Sequence, residues 1–294
     1  MAVVDTSELS GGPAATIALG TLSRSRLRLR NALRLWLPLG VLIFIVAACF
    51  IWPYIYPLPS PDTPLGIGAM PLFASGHLLG TDDIGRDMLS RSLYGGQVSI
   101  VVGVSSVAIG FVVGGGLGMF AGYIGGVTDV VISRILDMFL AFPALVLALA
   151  VAAFLGPSEH NEILAISFFT IPGYGRFARA ATLRLREEEF LSANRMLGGK
   201  TPYIIYRHVL PNIIGTLLTF GLLAIAGAML AEAALSFLGA GIRPPAPSWG
   251  NMIAEGEQFL STAPHIVFVP AAFLFVTVLS LNFLGDAVRE RFHV

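Results

Sequence analysis

An all-α integral membrane protein with six transmembrane helices, and with both termini on the cytoplasmic side, is the fold class predicted by this 294-residue chain. Three observations carry that reading. Hydrophobic residues make up 55% of the chain and charged residues only 12%, whereas a soluble domain carries about a quarter charged. The apolar residues fall in long blocks rather than short alternating runs, and a block of roughly 20 matches a hydrocarbon core about 30 Å thick. The lysines and arginines collect in alternate interruptions between the blocks, as the positive-inside rule requires.

The first 20 residues are mildly polar, show no helical period and read as a loose tail. Arg24, Arg26, Arg28, Arg30 and Arg34 follow, ahead of the first apolar block. A secretory signal shares that basic-then-apolar order. The stretch from Trp36 to Tyr56 is nevertheless too long for a signal h-region and has no small-x-small cleavage site after it, so it is expected to stay as a membrane span. Run length places spans at 36–56, 99–122, 135–155, 162–180, 213–238 and 265–284. The division is a cytoplasmic tail 1–35, a first helix 36–56, an external segment 57–98, a five-helix core 99–284 and a cytoplasmic tail 285–294. With the N-terminal arginines inside, the loop holding Arg176, Arg179, Arg184, Arg186, Arg195, Lys200 and Arg207 is cytoplasmic, as are Arg289 and Arg291. The opposite side holds Arg86, Arg91 and Arg243.

Within this frame, Thr81 or Asp82 is expected to cap a helix leading into the second span. That span carries Gly110, Gly114, Gly118 and Gly122, a four-residue spacing that lets another backbone approach closely. The approaching helix belongs either to this chain or to a second copy. Pro244, Pro245 and Pro247 exclude a continuous helix through the external segment 239–264. Cys49 has no sequence partner for a disulfide or a metal and reads as a packing residue. Arg134 and Asp137, at i and i+3, are expected to pair at a helix end, and Asp286 is read as an anchor in the same way.

The richest region is the cytoplasmic loop 184–211. Glu187-Glu188-Glu189 precede a helix-favouring run that ends in Arg195, the charge order that a helix dipole favours. Phe190, Ala193 and Leu197 fall on one stripe. Gly198-Gly199 supply a stop. Thr201-Pro202 then restart a short second helix, with Thr201 as its cap. That helix is expected to present Tyr203, Ile204, Tyr206 and Val209 and to break at Leu210-Pro211. An exposed apolar patch rimmed by charge is a docking surface, although an amphipathic helix resting on headgroups has the same composition. Gly199-Lys200-Thr201 mimics the end of a phosphate loop, but Asn194 stands where the earlier glycine is needed and no strand leads in. The chain therefore offers no nucleotide site, no catalytic residues and no metal site, and any ATP use belongs to a partner.

Glu189-Phe190-x-x-Ala193-x-x-x-x-Gly198, followed after nine residues by His208-Val209-Leu210-Pro211, resembles the EAA signature of ABC import permeases. Ser192-Ala193-Asn194 stands where Glu-Ala-Ala is usual. Gly80-Thr81-Asp82-Asp83-Ile84-Gly85-Arg86-Asp87, Ala231-Glu232-Ala233-Ala234-Leu235-Ser236-Phe237-Leu238-Gly239, Pro244-Pro245-x-Pro247-Ser248-Trp249-Gly250 and Asn282-x-x-Gly285-Asp286-x-x-Arg289 are similar to motifs of the C-type permeases of dipeptide, oligopeptide and nickel importers. The likeness runs from about Arg24 to the C-terminus.

It implies a type I ABC importer permease in a bacterial cytoplasmic membrane, binding no cofactor of its own and no nucleic acid. The implied partners are a B-type permease in a heterodimer, two ATPase subunits that use ATP and magnesium, and an external solute-binding protein. Glu189, Phe190, Ala193, Gly198, Tyr203, His208, Leu210 and Pro211 would form the ATPase-coupling loop. Glu232, an acid inside a span, is either a pathway or gate residue or a hydrogen-bonded structural one. Asp82, Asp83, Arg86 and Asp87 either meet the binding protein or pair among themselves. Small peptides are the expected cargo, with nickel or another small solute as the alternative. An ion-coupled secondary transporter would need paired broken helices and more mid-membrane charge than Glu232.

Overall fold

The computed structural model describes residues 33–292 apart from 57, 65–67 and 75. The N-terminal tail and its arginines up to Arg30 lie outside the described residues. Every regular element among those described is helical. Leu33–Phe50 forms α1, and a short turn at Trp52–Ile55 follows it. The polypeptide then runs through turns to Asp87, which caps α2 by accepting a 2.8 Å bond from the Ser90 amide. The cap is not Thr81 or Asp82. The Asp82 carboxylate is engaged in its own turn, accepting from the amides of Ile84 and Arg86.

α2 covers Met88–Ile124, with a π turn at Gly110–Gly114. Its glycine stripe faces α5, the helix Glu159–Arg186. A Cβ built on Gly114 would lie 2.0 Å from the Ile171 carbonyl oxygen, and one on Gly118 would lie 2.1 Å from that of Gly175. Gly110 abuts Thr170, and Gly122 abuts Arg179 and Thr182. The stripe is thus an intrachain contact, and no side chain fits between the two backbones.

Between α2 and α5, α3 (Gly126–Leu140) and α4 (Ala144–Leu155) are bent 83° from each other. Pro143 stands at the break, and a proline biases its predecessor away from helical geometry. The single span expected at 135–155 is therefore a broken pair. Asp137 of α3 bonds Arg176 of α5 at 2.7 Å, and Asp129 makes a bidentate contact with Arg179. The expected Arg134–Asp137 pair gives way to these because both acids face α5, where a guanidinium fork matches a carboxylate better than a neighbour along the helix can.

α6 is Glu189–Met196, α7 runs Thr201–Phe237, α8 is Trp249–Gly256 and α9 is His265–Phe292. In α7 the expected break at Leu210-Pro211 is absent. A π turn at Ile205–Val209 immediately precedes Pro211, so the missing proline amide falls where the hydrogen-bond register is already shifted. α7 packs against α2, α5, α8 and α9. One apolar core joins α2, α5, α6 and α7 around Tyr174, Leu191 and Leu217. A second joins α1, α2, α7, α8 and α9 around Cys49, Trp249 and Leu281.

Four described helices, α1, α2, α7 and α9, are long and apolar enough to cross a membrane, and the bent pair α3–α4 makes a fifth if it is one span. α5 has 28 residues, about 42 Å at 1.5 Å per residue. It is more polar than those spans, and Arg176 and Arg179 find their partners on α3.

Candidate functional site

Two polar or exposed regions stand at opposite ends of α2. At its C-terminal end is the loop that joins α5 to α7. Glu187 and Glu188 end α5 and turn the chain into α6, which is held by one buried anchor, Leu191. A second tie is Arg195. Its Nε donates to the Tyr123 hydroxyl at 3.1 Å, and its guanidinium lies 4.6 Å from that ring's centre, a cation–π contact. α6 then ends in a Schellman motif. The Gly199 amide donates to the Asn194 carbonyl and the Gly198 amide to that of Arg195, each at 3.0 Å, with Gly198 at φ +81°. That conformation suits glycine because it has no Cβ to clash.

Thr201 does not cap the next helix. Lys200 occupies the cap position without a side-chain bond, and Thr201 and Pro202 are the first helical residues. Of the side chains expected on the surface, Ile204 and Val209 are buried instead, packed with Leu191 in the core. Large apolar side chains remain outside among charged ones: Met196 is 89% exposed, Leu197 87% and Tyr206 75%, and Tyr203 and Phe190 are exposed too. Glu189 and Ala193 are exposed as well, whereas His208 is half-buried and stacks edge-on against Tyr203. Leu210 is half-buried and Pro211 exposed on the same helix. The loop projects from the core, with buried anchors on one face and large apolar side chains left uncovered on the other by the described residues.

At the other end of α2 the charged residues are sealed in. Asp82, Arg86 and Asp87 are buried, and of the four candidate contact residues here Asp83 is the more accessible. Arg86 donates to Asp82 and to Glu255 at 3.0 Å, and Arg91 donates to the same Glu255 oxygen at 2.9 Å. Arg91 also donates to the carbonyls of Pro61 and Pro245. His77 and Asp87 are joined at 2.7 Å, and the His265 ring meets the Thr81 carbonyl at 2.9 Å. Arg91 and Glu255 went unnoticed in the sequence as a pair, since 164 residues separate them. An arginine one turn after the Asp87 cap, just inside an apolar block, was the available signal.

Glu232 is completely buried. Its carboxylate accepts from Ser99 at 2.8 Å and from Ser236 at 3.1 Å, and Ser99 in turn accepts from the Trp249 amide. These bonds link α2, α7 and α8 through Glu232 and Ser99. A second buried acid, Glu162 in the first turns of α5, has neither carboxylate oxygen hydrogen-bonded. It was read only as the edge of a span.

The described residues thus form a helical membrane core with an exposed apolar loop between two long helices. Comparison with known proteins makes the class definite. The chain belongs to the family of binding-protein-dependent transport system inner membrane components, whose model matches residues 114–293. It is 42% identical over 214 residues to the dipeptide transport system permease protein DppC of Alkalihalophilus pseudofirmus, covering 73% of this chain and 70% of that one. It is 39% identical over 217 residues to the glutathione transport system permease protein GsiD of Pectobacterium atrosepticum, covering 74% and 72%. A solved chain of the MetNI methionine ABC transporter in inward-facing form shares the fold, with a TM-score of 0.57 at 19% identity, covering 69% of this chain and 97% of that one. The protein is thus a multi-pass permease component with the type I importer fold, and the expected family stands.

Proposed function

We propose that this chain is the transmembrane permease subunit of an ATP-driven importer of small peptides, forming half of the translocation pathway. Its partners in this reading are a B-type permease, two cytoplasmic ATPase subunits and an external solute-binding protein, in a bacterial cytoplasmic membrane. The N-in, C-in arrangement has α5 as a sixth span and the loop 184–211 on the ATPase side. The observation that carries the reading is the apolar face of α6 and the start of α7, which is anchored by buried residues and left uncovered by the described residues. Sequence likeness to dipeptide and glutathione permeases supports the peptide cargo.

The mechanism follows from continuity. The loop is closed by the Schellman turn at Gly198 and passes without a break into α7, 37 residues or about 55 Å long. Displacement of the loop by closing ATPases is therefore carried through the membrane as motion of a rod. Arg195 on Tyr123 passes the same displacement to α2. At the far end, Glu232 ties α7 to α2 through Ser99, so the two helices move together and the core rocks between inward-open and outward-open states. No bond is made or broken in this chain. The test is reconstitution of the four-part transporter with labelled dipeptide. Uptake that requires ATP and survives a protonophore is the expected result, whereas uptake that persists without ATP and collapses with the proton gradient would sink the reading.

A further inference from the structure

Three neighbouring helices are interrupted side by side. α2 has its π turn at Gly110–Gly114, α3 and α4 part between Leu140 and Ala144, and α5 contains Pro172, which has no amide to donate to the Phe168 carbonyl. These points adjoin one another. Gly110 abuts Thr170, Gly114 abuts Ile171, Leu136 lies over Gly175, and the Phe139 and Phe168 rings meet edge-on at 5.9 Å. Past them, toward the loop 184–211, α3 is fastened to the last turns of α5. Asp129 and Arg179 make a bidentate contact, with Nη2 at 2.6 Å from the carboxylate. Ser133 donates to the same carboxylate at 3.3 Å. Arg186, the last residue of α5, lies against the turn between α2 and α3, where a Cβ built on Gly125 would be 2.4 Å from its Nη1. α5 is thus the stalk of the loop, and α3 is tied to that stalk.

We propose that Asp129 and Arg179 are coupling residues outside the loop. On the import reading above, which this inference rests on, closing ATPases displace the loop. The pair makes α3 travel with the last turns of α5, and the three interruptions take up the bend. Both are positioning residues, acting through α3. A bidentate fork fixes direction as well as distance, so it resists sliding of one helix along the other. The Asp137–Arg176 pair on the same seam is the weaker tie, because its side chains are 40% and 58% exposed against 16% and 34% for Asp129 and Arg179, and exposed pairs contribute little. α3 depends on this seam. Its opposite stripe, Val127, Val131, Arg134 and Met138, is exposed, so no described element holds α3 from that side.

The test uses the assembled transporter in vesicles, with labelled dipeptide uptake and ATP hydrolysis measured together. Arg179→Gln should lower uptake per ATP hydrolysed by about threefold or more while assembly and hydrolysis persist. Asp129→Asn should do the same, and the double variant should be no worse than either single one, since each removes the same pair. In a Cys49→Ala background, Asp129→Cys with Arg179→Cys should show that loss, and a bifunctional thiosulfonate bridging the two thiols should restore uptake. Unchanged uptake per ATP in Arg179→Gln, additive losses, or a bridge that restores nothing overturns the proposal. A second readout needs no uptake and leaves the pair intact. Spin labels on Val130→Cys and Arg184→Cys should keep one distance with and without ATP and vanadate, while labels on Val130→Cys and Phe154→Cys, across the break, should shift. A changing first distance or a constant second one overturns the proposal even where the pair variants fail to assemble. Absence of ATP-driven uptake by the unaltered transporter overturns the import reading instead, and the two distances still decide the tie between α3 and α5.

Discussion

The two ends of α2 handle charge and apolar surface in opposite ways. At the Met88 end, Asp82, Arg86, Arg91 and Glu255 are drawn inside and matched to one another and to carbonyl groups. At the Ile124 end, charged residues stay outside and large apolar side chains are left uncovered on α6. A buried, paired cluster holds one arrangement of its elements, because any displacement strands a charge in a poor dielectric. An uncovered apolar projection costs the isolated chain and is sustained when a partner covers it. The first end is therefore a frame that fixes α2, α8 and the loops around Pro61 and Pro245. The second is the surface proposed above to meet the ATPase subunits.

The contrast can be broken most forcefully at the frame. Arg91→Ala takes away one of the two arginines on Glu255 and leaves the Pro61 and Pro245 carbonyls facing a void, and should lower stability by about 3 kcal/mol, read as a fall in the thermal midpoint of the detergent-purified protein. If that variant unfolds at the unaltered temperature, the cluster is not a frame. At the interface the effect should appear in binding and not in folding. Met196→Asp with Leu197→Asp should leave the chain's own stability within about 0.5 kcal/mol, yet weaken ATPase association by about 2 kcal/mol or more. Co-purification yield and a thermal scan on the same preparation separate the two.

Gly198→Val probes the rigidity of the projection. The built Cβ has open space around it, so the penalty is conformational, about 1–2 kcal/mol from the left-handed φ. The expected outcome is ATP hydrolysis that continues while peptide uptake falls in an assembled complex, and normal uptake per ATP hydrolysed would refute the lever. The smallest effect is expected at Glu162. Glu162→Gln removes a carboxyl that no group among the described residues satisfies, so stability of the isolated chain should stay the same or rise by up to about 1 kcal/mol. A loss that appears only in the assembled transporter would reveal a cationic partner supplied by another subunit.

Much of the coupling region was legible from residue types. The acidic-to-basic order of α6, the Gly198 stop and the apolar side chains Phe190, Leu197, Tyr203 and Tyr206 are local properties, and each recurs in the structure. The details that failed were those in which a helix responds to its neighbours. Thr201 lost its cap role to Lys200, and Ile204 and Val209 turned inward to meet Leu191. Pro211 sits inside a helix that a π turn keeps continuous. For the outer acidic motif, residue type could not distinguish a surface for a partner from an internal brace, since either use needs the same Asp and Arg residues.

The sequence by itself determined that this chain is a multi-pass membrane protein, roughly where its apolar helices lie, and that a turn at Gly198 divides the loop after α5. Those follow from apolar run length, charge placement and turn chemistry, all short-range quantities. Tertiary structure alone decided that Arg91 finds Glu255, that the glycine stripe of α2 receives α5 and not a second copy, and that Glu232 meets Ser99. Each of these rests on which helices come to lie side by side, and residues more than 50 positions apart carry no local signature of their eventual contact.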